Sequence, residues 1–340
     1  MAKVAIGGYF SLELPSGKRS YYPQAIAFQS ARAAFLALLQ CGRPARVWAP
    51  WYLCESMLEP LYATGIPLMR YALTTGLQPE ENIQFTADDW LLYVNYFGVS
   101  SRAVDAVLAR FPPQQVVLDY SQAFYSPPRD CLATIYSPRK FFGVPDGGYL
   151  LTRLSVEIPE AVDDGSLGRC THLLKRLSGE PETGYADYCR AEASLENQLP
   201  KRMSELTRKI LCAIDYDSIR LRRQQNFSEL HARLGKFNRF IIDVDENSVP
   251  LCYPFWSEHA GLHAELIAAR IFVPTYWREI ITSSQAIPEF ERSFAQGMVP
   301  LPCDQRYAPH DLKVVVDLIE NSLSRDSMCE IEQRGERSCE

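Results

Sequence analysis

Apolar positions in the first half of the chain follow two alternating rhythms. Short runs rich in β-branched, aromatic and leucine residues occupy 46–50, 67–73, 89–97, 115–118, 131–136 and 149–152, and each reads as a strand. Between them lie stretches with helical spacing. The Ala- and Leu-rich segment 23–40 predicts a helix ending near Gly42, 54–63 predicts one closed by Gly65, and 101–111 predicts one capped by Ser101. Strands alternating with helices predict βαβ units, hence a mostly parallel sheet covered on both faces. The second half reads differently. Segment 185–234 is helical, with Met203, Leu206, Ile210 and Ile214 along one face and a break with a new cap near Asp217-Ser218. Strands return at 240–244, 249–256 and 271–273, with helices at 264–270 and 311–323. The predicted organisation is a large α/β domain over 1–184, a helical connector over 185–238, a smaller α/β domain over 239–323 and a flexible polar tail over 324–340.

Composition narrows the class. The 340 residues carry 41 acidic and 35 basic side chains, a net charge of -6, which argues against a general nucleic-acid binder. No apolar run approaches the roughly 20 residues of a membrane-spanning helix. Residues 1–15 hold one early lysine and break at Gly7-Gly8, so they do not read as a signal peptide. The 10 cysteines form no C-x-x-C pair and are predicted to be reduced thiols of a cytoplasmic protein.

Ligands of open parallel sheets sit at the carboxyl ends of strands. Two ionisable residues fall at such ends. Asp119 follows QVVL, and Lys140 follows CLATIY through Ser137-Pro138-Arg139, with the turn Gly143 to Gly148 directly after it. A lone Asp at such a place is ordinarily a turn residue, and a lone Lys a surface one. Together they suit pyridoxal 5'-phosphate (PLP), which needs a lysine for its aldehyde and an acid to keep its pyridine nitrogen protonated. Its phosphate needs hydroxyls and a helix N-terminus. The residues Ser30 and Ala31 supply both if the first helix begins locally there. Other candidates are weaker. His259 and His263 share a helix face without a third ligand, so no metal is predicted. Cys54 shows no sign of an activated thiol, and Arg220-Leu221-Arg222-Arg223 reads as a solvated helix face. Gly7-Gly8-Tyr9-Phe10 is a candidate substrate-side loop.

The order and spacing of VLDYSQAFYS (117–126) and YSPRKFFGVPDGGYLLT (136–152) resemble fold-type I PLP enzymes, and most of all the DegT/DnrJ/StrS-like sugar aminotransferases. FQSARAAFLALL (28–39) is similar to the family's first helix, and RVWAPWYLCESM (46–57) to its next strand and loop. The resemblance covers most of 20–155, weakens over 185–235 and returns at 273–277 and 299–307. It implies a fold-type I PLP transferase: a large domain with a mostly parallel seven-stranded sheet flanked by helices, and a smaller C-terminal α/β domain. It implies that Lys140 holds the cofactor aldehyde, that Asp119 pairs with the ring nitrogen and that Gln122 lies near the 3-hydroxyl. Ser30, Ala31 and Arg32 would approach the phosphate. The family's serine five residues before the lysine is Ile135 here, which leaves Ser137 as the nearest hydroxyl. The segment between Asp119 and Lys140 is shorter than the family's. The stacking ring would align near Cys54, so Tyr52 or Trp51 would take that role. The implied activity is transfer of an amino group from an amino acid such as glutamate to a nucleotide-linked keto sugar, in a homodimer, with no nucleic-acid or membrane partner. The alternatives are a PLP-dependent sugar dehydratase, disfavoured by the presence of Lys140, and a non-catalytic PLP-binding regulator of the same fold.

Overall fold

The computed structural model describes residues 6–15, 17, 20–243, 245 and 247–337. Seven strands form its central sheet: β1 (Ile26–Phe28), β2 (Arg46–Pro50), β3 (Leu68–Tyr71), β4 (Asp89–Val94), β5 (Val116–Tyr120), β6 (Ala133–Tyr136) and β7 (Gly148–Thr152). Their spatial order is β1-β7-β6-β5-β4-β2-β3. Strands β2 to β6 pair in parallel, and β7 lies antiparallel to both of its neighbours. Every residue of β4, β5 and β6 is buried, which is why these runs are apolar without alternation. Helices α1 (Ala31–Gly42), α2 (Glu55–Thr64) and α3 (Ser101–Arg110) supply the crossovers. The predicted mostly parallel sheet is therefore present, and β7 is its reversed member.

The helix predicted over 23–40 is shorter at its start. Ser30 has extended backbone angles and its hydroxyl accepts the N–H of Ala33, so α1 begins at Ala31. The residues before it form β1 against β7, and Ala27 also accepts the N–H of Met203. Tertiary pairing overrides the helical propensity of this Ala-rich stretch. The start of β7 crosses the start of α1 so closely that a Cβ on Gly148 would lie 2.2 Å from the Ser30 carbonyl carbon. Only glycine fits there.

Beyond β7 come α4 (Ser166–Arg169), α5 (Thr171–Ser178), α6 (Pro181–Ala193), α7 (Glu205–Cys212) and α8 (Tyr216–Leu234). The break before α8 is capped by Asp215, which accepts the N–H of Ser218. A two-stranded sheet of β8 (Tyr253–Trp256) and β9 (Met298–Leu301) follows, with α9 (Leu262–Ala268), α10 (Arg278–Thr282) and α11 (Glu289–Gly297) between the strands. The strands predicted at 240–244 and 271–273 are not formed; Val244 lies outside the described residues. Residues before β8 run beside it as irregular chain because Asn238 Oδ1 accepts the N–H groups of both Phe240 and Trp256. Residue Val273 gives its carbonyl to His263 instead of to a strand. The last helix, α12 (Pro309–Arg337), continues through most of the segment read as a tail. No disulfide joins the described cysteines, and no helix among the described residues is long and apolar enough to cross a membrane.

Candidate active site

The carboxyl ends of β1, β2, β5 and β6 meet the amino end of the reversed β7 along one edge of the sheet. A cavity of about 380 Å³ opens there, with Ser30, Ala31, Arg32, Cys54, Ser121, Ser137 and Lys140 in its wall. Of the predicted site residues, the structure brings Ser30, Ala31, Arg32, Ser137 and Lys140 together in this one space. Local rules place them. The N-cap at Ser30 leaves the first N–H groups of α1 without helical partners at the cavity edge. The 3₁₀ turn Pro138–Lys140 lifts Lys140 off the end of β6, and its side chain is exposed. No hydrogen bond or ion pair occupies the Lys140 ammonium among the described residues.

Asp119 and Gln122 lie just behind the wall. Asp119 is 3% exposed and its Oδ1 accepts the N–H of Ser121, itself a lining residue, at 2.8 Å. Gln122 Oε1 accepts the N–H of Phe97 at 2.7 Å, while its buried Nε2 has no partner among the described residues. That contact needs a left-handed turn at Phe97 (φ 57) and Gly98 (φ 73). A Cβ on Gly98 would sit 2.8 Å from the Gln122 carbonyl oxygen and 2.9 Å from that of Val249. A tight glycine turn thus fixes Gln122 with a donor left over.

The stacking role expected of Tyr52 does not match its place. Its ring is fully buried against Tyr96, Trp277 and Phe294, and its hydroxyl donates to the Tyr276 carbonyl at 2.7 Å. Cys54 lines the cavity in its stead, and Tyr276 brings an aromatic ring to the wall from the C-terminal half. Sequence reasoning also missed Arg139, on the turn after β6, and His172, Tyr188 and Glu192, which line the cavity from α5 and α6. Burial, and next the nearby Arg139, push the His172 imidazole below its ordinary value of 6.5. Burial raises the Tyr276 phenol. Arg32 is paired with Glu59 and Arg139 with the lining Glu192, so among the described residues Lys140 is the cation that the wall leaves for an anion.

These residues fit PLP. An uncommitted lysine, an acid behind the wall, a buried amide donor and a helix start beside two hydroxyls are the donor set it needs. The other candidates resolve differently. His259 pairs with Glu265 at 3.0 Å, and His263 meets the Val273 carbonyl; no metal-type cluster exists among the described residues. Gly7 to Phe10 is exposed and is not part of the cavity wall. Within the run read as a solvated face, Arg220 is exposed and pairs with Asp217, but Arg223 is only 2% exposed. Its guanidinium donates to the carbonyls of Pro250, Leu251 and Phe141.

No family model and no curated protein matches the chain in sequence. Solved structures do match it in shape. Sugar aminotransferase CalS13 from Micromonospora echinospora aligns at TM-score 0.60 and 15% identity, covering 88% of this chain and 87% of that one. A DegT DnrJ EryC1 StrS aminotransferase from Brucella abortus aligns at 0.58 and 13%, covering 87% and 85%. The PLP form of Spr1654, a sugar aminotransferase homologue from Streptococcus pneumoniae, aligns at 0.60 and 13%, covering 89% and 88%. With a reversed β7 in an otherwise parallel seven-stranded sheet, the chain has the fold of the DegT/DnrJ/EryC1/StrS-type sugar aminotransferases, a fold-type I fold.

Proposed function

We propose that the protein is a PLP-dependent aminotransferase that moves an amino group from an amino acid such as glutamate to a nucleotide-linked keto sugar, as a cytoplasmic homodimer. The observation that carries this reading is the free Lys140 ammonium, held in one cavity with the α1 N-terminus and backed by Asp119. The chemistry supplied by bound PLP is an aldehyde that condenses with amines and a protonated ring that draws electrons from the neighbouring carbon. Lys140 Nζ would hold the aldehyde. Its amine, once free, would be the base that moves a proton at the donor's α carbon. Asp119 would hold the ring-nitrogen proton in place. The Ser30 and Ser137 hydroxyls and the first N–H groups of α1 would hold the phosphate, and Gln122 Nε2 would donate to the ring oxygen. The amino-sugar chemistry is supported by the neighbours' being sugar aminotransferases. Exposed Leu174, Leu177 and Tyr185 on α5 and α6 give a second copy apolar surface to cover.

Adding PLP to the purified protein is expected to produce visible absorbance that Lys140→Ala abolishes. Glutamate is then expected to convert the cofactor to pyridoxamine phosphate, recoverable from the denatured protein. Absence of a Lys140-dependent absorbance overturns the reading.

A further inference from the structure

Two arginines line the cavity, and each holds one carboxylate. Arg32 meets Glu59 at 2.6 Å, with side chains 14% and 20% exposed. Glu59 is also tied to the backbone, since its other oxygen accepts the N–H of Asn197 at 2.6 Å. That pair is fixed at both ends. Arg139 differs. Its Nη2 and Nη1 donate to the two oxygens of Glu192 on α6, the second at 3.5 Å. Glu192 makes no other hydrogen bond or ion pair among the described residues, and its side chain is 37% exposed, against 15% for Arg139. The buried Nε of Arg139 has no acceptor among the described residues. Glu192 can therefore leave for water at small cost, whereas Arg139 cannot follow it.

We infer that Arg139 is the carboxylate subsite of the amino donor, and that Glu192 occupies it until the donor displaces it. The inference rests on the function proposed above. The Glu192 side chain is the same chemical species as a donor carboxylate and already shows the two-pronged geometry that a guanidinium imposes. Arg139 directly precedes Lys140 in the same cavity, so a donor whose amine reaches Lys140 Nζ brings its carboxylate toward Arg139. Arg32, on α1 at the predicted phosphate end, keeps its own counter-ion. The subsite takes an amino acid carboxylate and rejects its amide.

The test is calorimetric titration with glutarate, which carries the carboxylates of glutamate without its amine, and with glutaramide as the neutral control. Arg139→Gln is expected to weaken glutarate binding roughly tenfold to a hundredfold, with glutaramide binding weak to both proteins. Arg139→Lys is expected to fall between. Glu192→Gln removes the competitor and is expected to tighten glutarate binding several-fold. The opposite signs separate a subsite from a structural ion pair, whose loss would act in the same direction from either partner. Glutarate binding unchanged in Arg139→Gln, or weakened in Glu192→Gln, overturns the inference. A parallel PLP titration keeps the two readings apart. Normal Lys140-dependent absorbance with Arg139-independent glutarate binding removes the subsite alone. Arg139-dependent glutarate binding without any absorbance removes the cofactor reading and with it the donor role, leaving Arg139 as a carboxylate site only.

Discussion

The edge of the sheet at Lys140 and the seam between that sheet and the C-terminal half both bury charged or polar groups, but they satisfy them differently. At the edge, partners are close in sequence: Asp119 is met by Ser121, and Ser30 by Ala33. Several groups there stay uncommitted, among them Lys140 and the Nε2 of Gln122. At the seam, partners are distant. Arg223 gathers carbonyls from Phe141, Pro250 and Leu251, and Gln305 adds a second donor to Phe141 at 2.9 Å. Glu291 on α11 accepts the N–H of Leu73 beyond β3 at 2.7 Å. The edge keeps the Lys140 ammonium free for a ligand, while the seam's donors hold two halves of the chain together, with Arg223 Nε and Glu291 Oε2 left over.

If that contrast is right, breaking the seam costs stability and breaking the edge costs chemistry. The largest stability effect is expected at Arg223. Its guanidinium stacks over Phe141 at 4.6 Å and desolvation lowers its pKa, and it hydrogen-bonds to carbonyls without an ion pair among the described residues. Arg223→Met keeps much of the bulk and takes the guanidinium from the Pro250 and Leu251 carbonyls, while Phe141 keeps the Gln305 donor, at on the order of 4 kcal/mol. Urea unfolding followed by circular dichroism reads this. An unchanged midpoint would remove Arg223 from the seam.

Asp119→Asn addresses the edge. The amide oxygen can still accept the Ser121 N–H, so the unfolding midpoint is expected to stay near that of the parent. Turnover is expected to fall about a hundredfold to a thousandfold, because the carboxylate that holds the ring-nitrogen proton is gone. Steady-state rates with glutamate check it. Near-normal turnover would take Asp119 out of the site.

How much of this was legible follows the same division. The strands read at 46–50, 115–118 and 131–136 rest on local pattern and form as β2, β5 and β6; Ser30, Ser137 and Lys140 line one cavity at the sheet edge, with Asp119 behind its wall. The wall formed by His172, Tyr188, Glu192 and Tyr276 was not legible. These side chains arrive from helices and loops whose own patterns say only that they are helices and loops. Tyr52 misled because an aromatic beside the right motif position looks available, while the neighbours that enclose it, Trp277 and Phe294, lie far along the chain. Arg223 misled for the same reason: three arginines in four residues read as solvent-facing until α8 is packed. The strands expected at 240–244 and 271–273 failed because short apolar runs do not reveal whether an edge partner exists.

Glu291 sharpens the seam side through pH. It is fully buried, its Oε2 has no partner among the described residues, and burial pushes its carboxyl from 4.5 up to about 7, with Glu80 adding to the rise and Arg70 opposing it. Below about pH 4.5 folded and unfolded chains both hold the proton, and the group costs nothing. As pH rises to 7 the unfolded chain ionises first, so stability falls; above 7 the full cost remains, about 3 kcal/mol. Glu291→Gln keeps an acceptor for Leu73 and removes the titration. Its stability advantage over the parent is expected to grow from near zero at pH 4.5 to about 3 kcal/mol at pH 8. A constant difference between those pH values would show that Glu291 is not held neutral by the seam.

The smallest effect is expected at Ser137, where the edge leaves a hydroxyl open. Ser137 is 7% exposed, lines the cavity and makes no capping bond to the turn that it precedes. A hydroxyl whose only role was to cap that turn would show such a bond. Ile135, at the position where the resembling family carries serine, is fully buried in β6 and offers no donor, so Ser137 is the hydroxyl that this strand can aim at a phosphate. A charge-assisted hydrogen bond of this kind contributes about 1.5–3 kcal/mol, or roughly 10- to 150-fold in affinity. Ser137→Ala is expected to weaken PLP binding by that factor and to leave the absorbance at saturation and the unfolding midpoint of the apoprotein unchanged. A PLP titration that overlays the parent curve would shift phosphate anchoring to Ser30 and the start of α1. A lowered midpoint with unchanged affinity would place Ser137 with the seam's structural groups and blur the division between the two regions.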